Sequence, residues 1–386
     1  MEVYLHIPFC RVKCDYCALH SFAGREHLVG RYSAALRREI RCVGNGETVA
    51  SIYFGGGTPS LLTPGLVGAL LETCADVFAL ADDVEITLEA HPATVSTTYL
   101  RDLRACGVNR LSFGVQSAHD DILRGVGRMH TVAQAGQALA WARAAGFDNV
   151  GLDLIYGLPG DSLARWRETL AHALAWEPDH VSAYALAVEC GTRLARRINA
   201  GQVAVADADQ MAEMYDAAGE AFARAGLGQY ELSNWARPGK ACRHNLSVWR
   251  GGEYLGLGAG AHGFAAGVRY QVVGRLDAYL RRMTRHMLYP EPCLFPRSPA
   301  VARTHRLSRR EMMEEAMFLG LRLTEEGVSG ARFAARFGRK VEDVFGAELE
   351  ELLALGLLER RGDAIRLTPR ARLISNQVFV HFVKTA

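Results

Sequence analysis

Charge of one sign is missing from this chain: 44 Lys and Arg stand against 42 Asp and Glu in 386 residues, a formal net charge of +2. That balance gives no electrostatic case for nucleic acid as the main partner. No uninterrupted run of eighteen apolar residues occurs, so no bilayer-spanning helix is expected. The N-terminus has no basic lead, signal-like apolar core and small-residue cleavage site, and a cytoplasmic protein is the expectation. No Gly-Lys-Ser or Gly-Lys-Thr follows the glycine runs, which argues against a phosphate loop. Evenly paired cysteines are absent too. There are nine; Cys42, Cys74, Cys106 and Cys190 read as buried or incidental thiols, and no disulfide scaffold is expected. What is present, 49% apolar and 22% charged residues, is ordinary globular composition with room for a large core and a second small domain.

Cys10, Cys14 and Cys17 are a different matter. They fill one loop directly after the strand-like run Val3–Ile7. Three soft ligands at spacings of four and three wrap a metal or an iron–sulfur cluster. Zinc is the rival, but a structural zinc site wants four ligands, usually as two separated pairs. No second pair follows, although His6 or His20 would complete a zinc site.

Beyond the loop, strand-like and helix-like stretches alternate. Strands are expected at 50–54, 84–88, 110–115, 149–155 and 180–186, and helices at 64–78, 100–106, 133–145 and 163–176. Thr63 is the expected N-cap of the first of these helices. This order implies parallel strands with right-handed crossovers, and polar or glycine residues gather at the strands' C-terminal ends, where barrel active sites collect. The run Gly55-Gly56-Gly57 ends one strand, where bare backbone serves either turn geometry or close approach to a ligand.

Cys-x3-Cys-x2-Cys with Tyr16 before the last cysteine resembles the cluster motif of the radical S-adenosylmethionine (SAM) superfamily. The resemblance implies a partial (β/α)6 barrel in which three cysteines hold a [4Fe-4S] cluster and its free iron chelates SAM, the cluster's electron splitting the sulfonium to a 5′-deoxyadenosyl radical. It implies that Gly55, Gly56, Gly57 and Thr58 form the stretch that meets the methionyl amino group. Glu89, Gln116, Arg128 and Asp153 match positions that contact the methionine and ribose parts of SAM, and Tyr4 falls where the family places a residue near it. Such roles suit carboxylates that accept from hydroxyls or an amino group and a guanidinium that pairs with a carboxylate.

HIPFC, YFGGGTPS, LSFGVQS, DLIYGLPG, ELSNWARPG, CRHNLSVW and EEAMFLGLRLTEEGV follow one another along the chain. Together they resemble the HemN/HemW family over nearly all of residues 1–383. The oxidase side of that family carries a fourth cysteine two residues after the third and an N-terminal extension. Here position 19 is leucine and the first cysteine is residue 10, so coproporphyrinogen oxidase activity is not expected. The HemW side carries His-Asn-x-x-Tyr-Trp, which His244-Asn245-Leu246-Ser247-Val248-Trp249 matches except at Val248. Leu19 replaces an aromatic residue usual there, and His91 stands where asparagine is common. The resemblance implies heme binding, with His244 as a ligand candidate, and heme delivery to apoproteins, with a reductant such as flavodoxin or ferredoxin. Radical chemistry on a porphyrinogen, or methyl transfer or cyclopropanation on another substrate, stays open, and no catalytic residue is assigned.

From about residue 290 the pattern changes. Residues 293–308 read as a linker, followed by helices at 309–319, 330–337 and 341–355, a hairpin at 357–367 and a further helix from Thr368-Pro369. The expected division is a barrel domain with elaborations over 1–290 and a C-terminal helical domain with a small hairpin, winged-helix-like, over 291–386. Its arginines are matched by Glu348, Glu350 and Glu351, and no nucleic-acid role is expected.

Overall fold

A computed structural model describes residues 1–383. Twelve strands form one sheet: β1 (Glu2–Ile7), β2 (Thr48–Gly56), β3 (Ala79–Ala90), β4 (Arg110–Gln116), β5 (Val150–Tyr156), β6 (His180–Ala185), β7 (Gly228–Glu231), β8 (Asn234–Ala236), β9 (Tyr254–Leu257), β10 (His262–Ala265), β11 (Val268–Val272) and β12 (Val301–Arg306). Their spatial order is β12-β11-β10-β9-β1-β2-β3-β4-β5-β6-β8-β7. From β9 through β6 every neighbouring pair is parallel; the flanking pairs are antiparallel. The six strands β1–β6 are the expected partial (β/α)6 barrel.

Two side-chain sets alternate along these strands, as the period of two requires. Val3, Leu5 and Ile7, Ile52 and Phe54, Ile86 and Leu88, Leu111, Phe113 and Val115, and Leu152 and Leu154 are buried in the main apolar core. The other set is polar: Tyr4 and His6, Ser51 and Tyr53, Thr87 and Glu89, Arg110 and Ser112, Asp153, His180 and Ser182. The crossover helices cover the apolar set, so the barrel interior is left to the polar one. Thr63 caps the helix Pro64–Val77 through Leu66 N, as expected.

Two expectations change. The stretch at 293–308 is no mere linker: Val301–Arg306 pairs antiparallel with β11 as the edge of the large sheet. Its sequence Val-Ala-Arg-Thr-His-Arg lacks the apolar alternation of a half-buried strand because all but its first residue are exposed. Nor is Cys42 incidental, since it is paired with Cys293, 251 residues away, with Cα atoms 5.7 Å apart.

After β12 the helices Arg309–Gly320, Gly330–Phe337 and Glu342–Ala354 precede the hairpin Leu358–Arg361/Ala364–Leu367, to which Val328–Ser329 adds a third strand. This helix–strand–helix–helix–hairpin order is winged-helix-like. The last two of these helices match the expected 330–337 and, with a kink at Phe345, 341–355. After the hairpin the chain forms a 3-10 turn at Pro369–Ala371, a short helix at Ser375–Phe379 and a further 3-10 turn at Val380–Phe382, so the helix expected from Thr368-Pro369 starts later and is short. Met313 and Met317 lie in this unit's own core with Phe333, Phe345 and Leu352. Several basic residues are spent within the chain: Arg360 on Glu342 at 2.8 Å, Arg366 on Glu359 at 2.7 Å and Arg372 on Gln229 at 2.6 Å.

Candidate functional site

A cavity of about 270 Å³ opens where the C-terminal ends of β2–β6 meet the cysteine loop. Cys10, Cys14 and Cys17 line one side. Gly56, Gly57 and Thr58 from the end of β2, Glu89 from β3, Gln116 from β4, Arg128 from the loop after the helix Asp120–Gly125, and Asp153 from β5 line the rest. Tyr4, Gly55 and His244 do not line it.

The loop is held at several points. Cys17 N donates to Cys14 O at 3.2 Å, Asp15 N to Val126 O at 3.0 Å, and Arg197 to the Asp15 carboxylate at 2.8 Å. Two thiols already face donors: Thr58 Oγ1 lies 3.5 Å from Cys10 Sγ, and an Arg128 amino group 3.6 Å from Cys14 Sγ. Burial raises the Cys10 pKa, a shift that metal coordination reverses because the ligand is the thiolate. A single tetrahedral zinc would draw sulfurs to about 3.8 Å from one another. The three sulfurs are not all within 4.8 Å of one another; among the described residues, Cys42, His286 and Cys293 form the one such group. The wider spacing suits a cluster of several irons. His6 cannot complete a zinc site as it stands. Its Nε2 donates to His20 O at 2.8 Å, which leaves Nδ1 to accept from Tyr4 OH at 3.1 Å.

The glycine run is explained first by packing. A Cβ on Gly55 would lie 2.8 Å from the Tyr4 ring, one on Gly56 2.5 Å from the His6 ring, and one on Gly57 2.6 Å from Phe9 O. Gly56 also sits at φ +112°, a region that L side chains avoid. The bare backbone thus lets β2 close against β1 and the start of the cysteine loop. Gly56 N donates to Glu89 at 3.1 Å, and Tyr53 OH donates to the same carboxylate at 3.0 Å.

Charge in the cavity is poorly compensated. Burial, then the like charge of Asp153, pushes Glu89 up to about 7. Burial also raises Asp153, which accepts from Ser112 Oγ at 3.0 Å. Gln116 adopts φ 72° where the β4–β5 register shifts; strained backbone of this kind collects at functional sites. Arg128 donates to Gly114 O. The Nε atoms of Arg128 and Arg110 and Nδ1 of His180 are buried without a partner. Two carboxylates and a guanidinium with unused capacity fit a ligand that carries an amino group, a carboxylate and hydroxyls.

Residues missing from the sequence reading complete the cavity: Tyr53, Arg110, Ser112, His180, Ser182 and Asn245. A signal for most of them exists. Along β4 and β6 polar residues alternate with apolar ones, as in Arg110-x-Ser112 and His180-x-Ser182, so the signal runs along the strands and not only at their tips.

His244 lies lower in the molecule. It is buried, its Nδ1 is 3.0 Å from Ser51 Oγ, and its ring sits 5.1 Å from Tyr53 and 6.2 Å from Tyr4. Burial, then the positive charge of Arg110, lowers its pKa to about 3. Glu85 accepts from Arg243 N at 3.0 Å and His244 N at 3.3 Å at the start of the helix Arg243–Trp249. At the other end Arg322 covers the Trp249 ring at 4.3 Å.

Residues 4–173 match the Radical SAM superfamily, and residues 307–374 match the HemN C-terminal domain. The chain is 36% identical to the heme chaperone HemW of Bacillus subtilis, covering 99% of each protein, and 37% identical to HemW of Mycobacterium tuberculosis, covering 97% of this chain and 93% of that one. It belongs to the HemW family. A mouse relative, the mitochondrial radical S-adenosyl methionine domain-containing protein 1, is 37% identical over 92% of this chain and 81% of its own length. The fold is that of Escherichia coli coproporphyrinogen III oxidase HemN, at TM-score 0.84 and 23% identity, covering 99% of this chain and 89% of that one. With radical SAM membership come a [4Fe-4S] cluster and SAM as cofactors, which the donor set of the HemW-type cavity described above accommodates. Among the described residues, no helix is long and apolar enough to cross a membrane.

Proposed function

We propose that this chain delivers heme to apoproteins in the cytoplasm, holding a [4Fe-4S] cluster on Cys10, Cys14 and Cys17 and SAM in the adjoining cavity. The observation that carries the reading is the full-length likeness to heme chaperones combined with Leu19, 54% exposed, at the cavity edge where the oxidases keep a fourth cysteine. In this arrangement Glu89 and the carbonyl side of Gly56 and Gly57 receive the amino group of SAM. Arg128 meets its carboxylate while tying that ligand to the Cys14 side of the loop, and Gln116 and Asp153 take the ribose hydroxyls. When reduced by a flavodoxin or ferredoxin, the cluster supplies an electron. Tyr4 orients His6, which pins the far end of the loop through His20. Residues 1–290 with β12 carry this site, and the winged-helix-like unit closes the side bearing Trp249.

His244 we read as structural. Its ring is enclosed by Tyr4 and Tyr53 and its Nδ1 is engaged with Ser51, so heme would have to displace the barrel floor to reach it. Radical chemistry on a substrate is the second reading. It is favoured by Arg110 and His180, residues that line the cavity and each keep a buried nitrogen without a partner.

Anaerobically reconstituted protein with SAM, dithionite and either heme or coproporphyrinogen III separates the two. Transfer of heme to a heme-free cytochrome, with the porphyrinogen mass unchanged, supports delivery. Loss of two carboxylates as carbon dioxide, with stoichiometric 5′-deoxyadenosine, overturns it.

A further inference from the structure

A second hollow, of about 630 Å³, lies on the flank of the barrel where the helix Leu276–Leu288 ends and the chain turns towards β12. Its size is that of a small-molecule site. Three soft donors converge at its edge from distant parts of the chain. Cys42 comes from the last turn of the helix Val29–Val43, His286 from the last turn of Leu276–Leu288, and Cys293 from the loop beyond. His286 Nε2 is 3.8 Å from each sulfur, and the two cysteines are paired. His286 and Cys293 face the hollow.

The remaining lining selects among metal species. Arg285, Arg297 and Arg303 are exposed on this hollow, and none of them has an ion-pair or side-chain hydrogen-bond partner among the described residues. Arg282 instead donates to Val301 O at 2.9 Å, and Glu291 is the acidic group there. Three uncompensated guanidiniums repel a bare divalent cation and favour a metal carried on an anionic scaffold through paired contacts to carboxylates. Tyr289 and Leu294, 71% and 63% exposed, add apolar surface that wants covering. A flat, apolar iron complex with two carboxylates satisfies all three demands.

We propose that this hollow is a heme-binding site, with Cys293 as the iron's protein ligand, His286 beside it, and Arg285, Arg297 and Arg303 receiving the propionates. The inference rests on the heme-delivery reading and locates its cargo away from the SAM cavity. Cys42 acts as the lock. While Cys293 is bound to Cys42 it offers no thiolate. A small dithiol reduces the pair, giving up two electrons and two protons and itself closing to a disulfide, and Cys293 becomes free to ligate.

The test titrates cluster-loaded protein with ferric protoporphyrin IX, before and after reduction by dithiothreitol and desalting, following the Soret difference spectrum and the low-spin electron paramagnetic resonance signal of thiolate ligation. Reduction is expected to tighten binding at least tenfold, and Cys42→Ser to bind without reduction. Cys293→Ala should lose the thiolate signal and tenfold in affinity. The double variant Arg285→Glu/Arg297→Glu should lose tenfold towards the heme but nothing towards its dimethyl ester. Unchanged cluster content and circular dichroism report that each variant is folded. Heme bound by the Cys293 and arginine variants within twofold of wild type, with the same spectrum, overturns the site, as does zinc taken up at the pair while heme is refused. Wild-type protein that binds no heme anywhere would remove the delivery reading itself. Heme kept by these variants but lost in His244→Ala would sink only the site proposed here.

Discussion

Glu89 is a carboxyl group whose proton reports on the cavity's burial. Folding raises it from an ordinary 4.5 to about 7, chiefly by burial. Between those values the folded protein holds a proton that the unfolded chain has released, so this group's contribution is present below about pH 4.5 and is lost as pH rises towards 7. Cluster-free wild-type protein should therefore lose about 2 kcal/mol relative to Glu89→Gln from pH 5 to pH 8. Urea midpoints of the two proteins at several pH values check this, and parallel curves would show that Glu89 does not titrate in the window. Gly56 tests the same corner sterically. With φ at +112° and the His6 ring 2.5 Å from any added Cβ, Gly56→Ala is expected to cost about 2 kcal/mol or more. It should also weaken SAM binding at least tenfold, measured by calorimetry on cluster-loaded protein. The glycine run was legible in the sequence as a place where backbone must be bare. What it is bare against, the rings of β1, was not, because that contact joins residues about fifty positions apart.

At the scale of elements, the helix Arg243–Trp249 shows how a motif can hold an architecture together. It has no N-cap side chain of its own. Instead Glu85, from the middle of β3, accepts its first backbone N–H groups and the Cys242 thiol at 3.5 Å, placing a carboxylate at the positive end of the helix. Glu85→Ala should cost about 2 kcal/mol in denaturant unfolding. It should also raise the SAM Kd several-fold, because Asn245 on that helix lines the cavity; an unchanged Kd would mean that the helix keeps its place without the cap. Strands and helices of the barrel were legible from apolar alternation and caps. β12 was not, since an exposed edge strand has no buried face to print a pattern on its sequence.

Across the whole molecule, several arginines join the two parts, and Arg322 is the one that reaches a fully buried carboxylate. Arg322, just after the first helix of the winged-helix-like unit, reaches the fully buried Glu231 of β7 at 3.0 Å while stacking on Trp249 at 4.3 Å. Removing it leaves a buried carboxylate with only Ser233 N and Asn234 as donors. Arg322→Ala is expected to destabilise by about 3 kcal/mol and to make residues 307–383 protease-sensitive before the barrel. Simultaneous digestion of both parts would show that they do not uncouple there.

The amino-acid order alone determined the cofactor loop, the strand–helix alternation and the hairpin-bearing end, because each is written in local spacing: thiols four and three apart, apolar residues at every second position, caps next to their helices. Tertiary structure decided what those pieces face. The polar rows of five strands, β2–β6, become a cavity only when the sheet curls, so Arg110 and His180 join Glu89 and Asp153 through registers that no local pattern records. Cys42, His286 and Cys293 meet across 251 residues because two helices happen to end side by side. Contacts of that range depend on the summed packing of everything between them, which is why they are visible only in the folded chain.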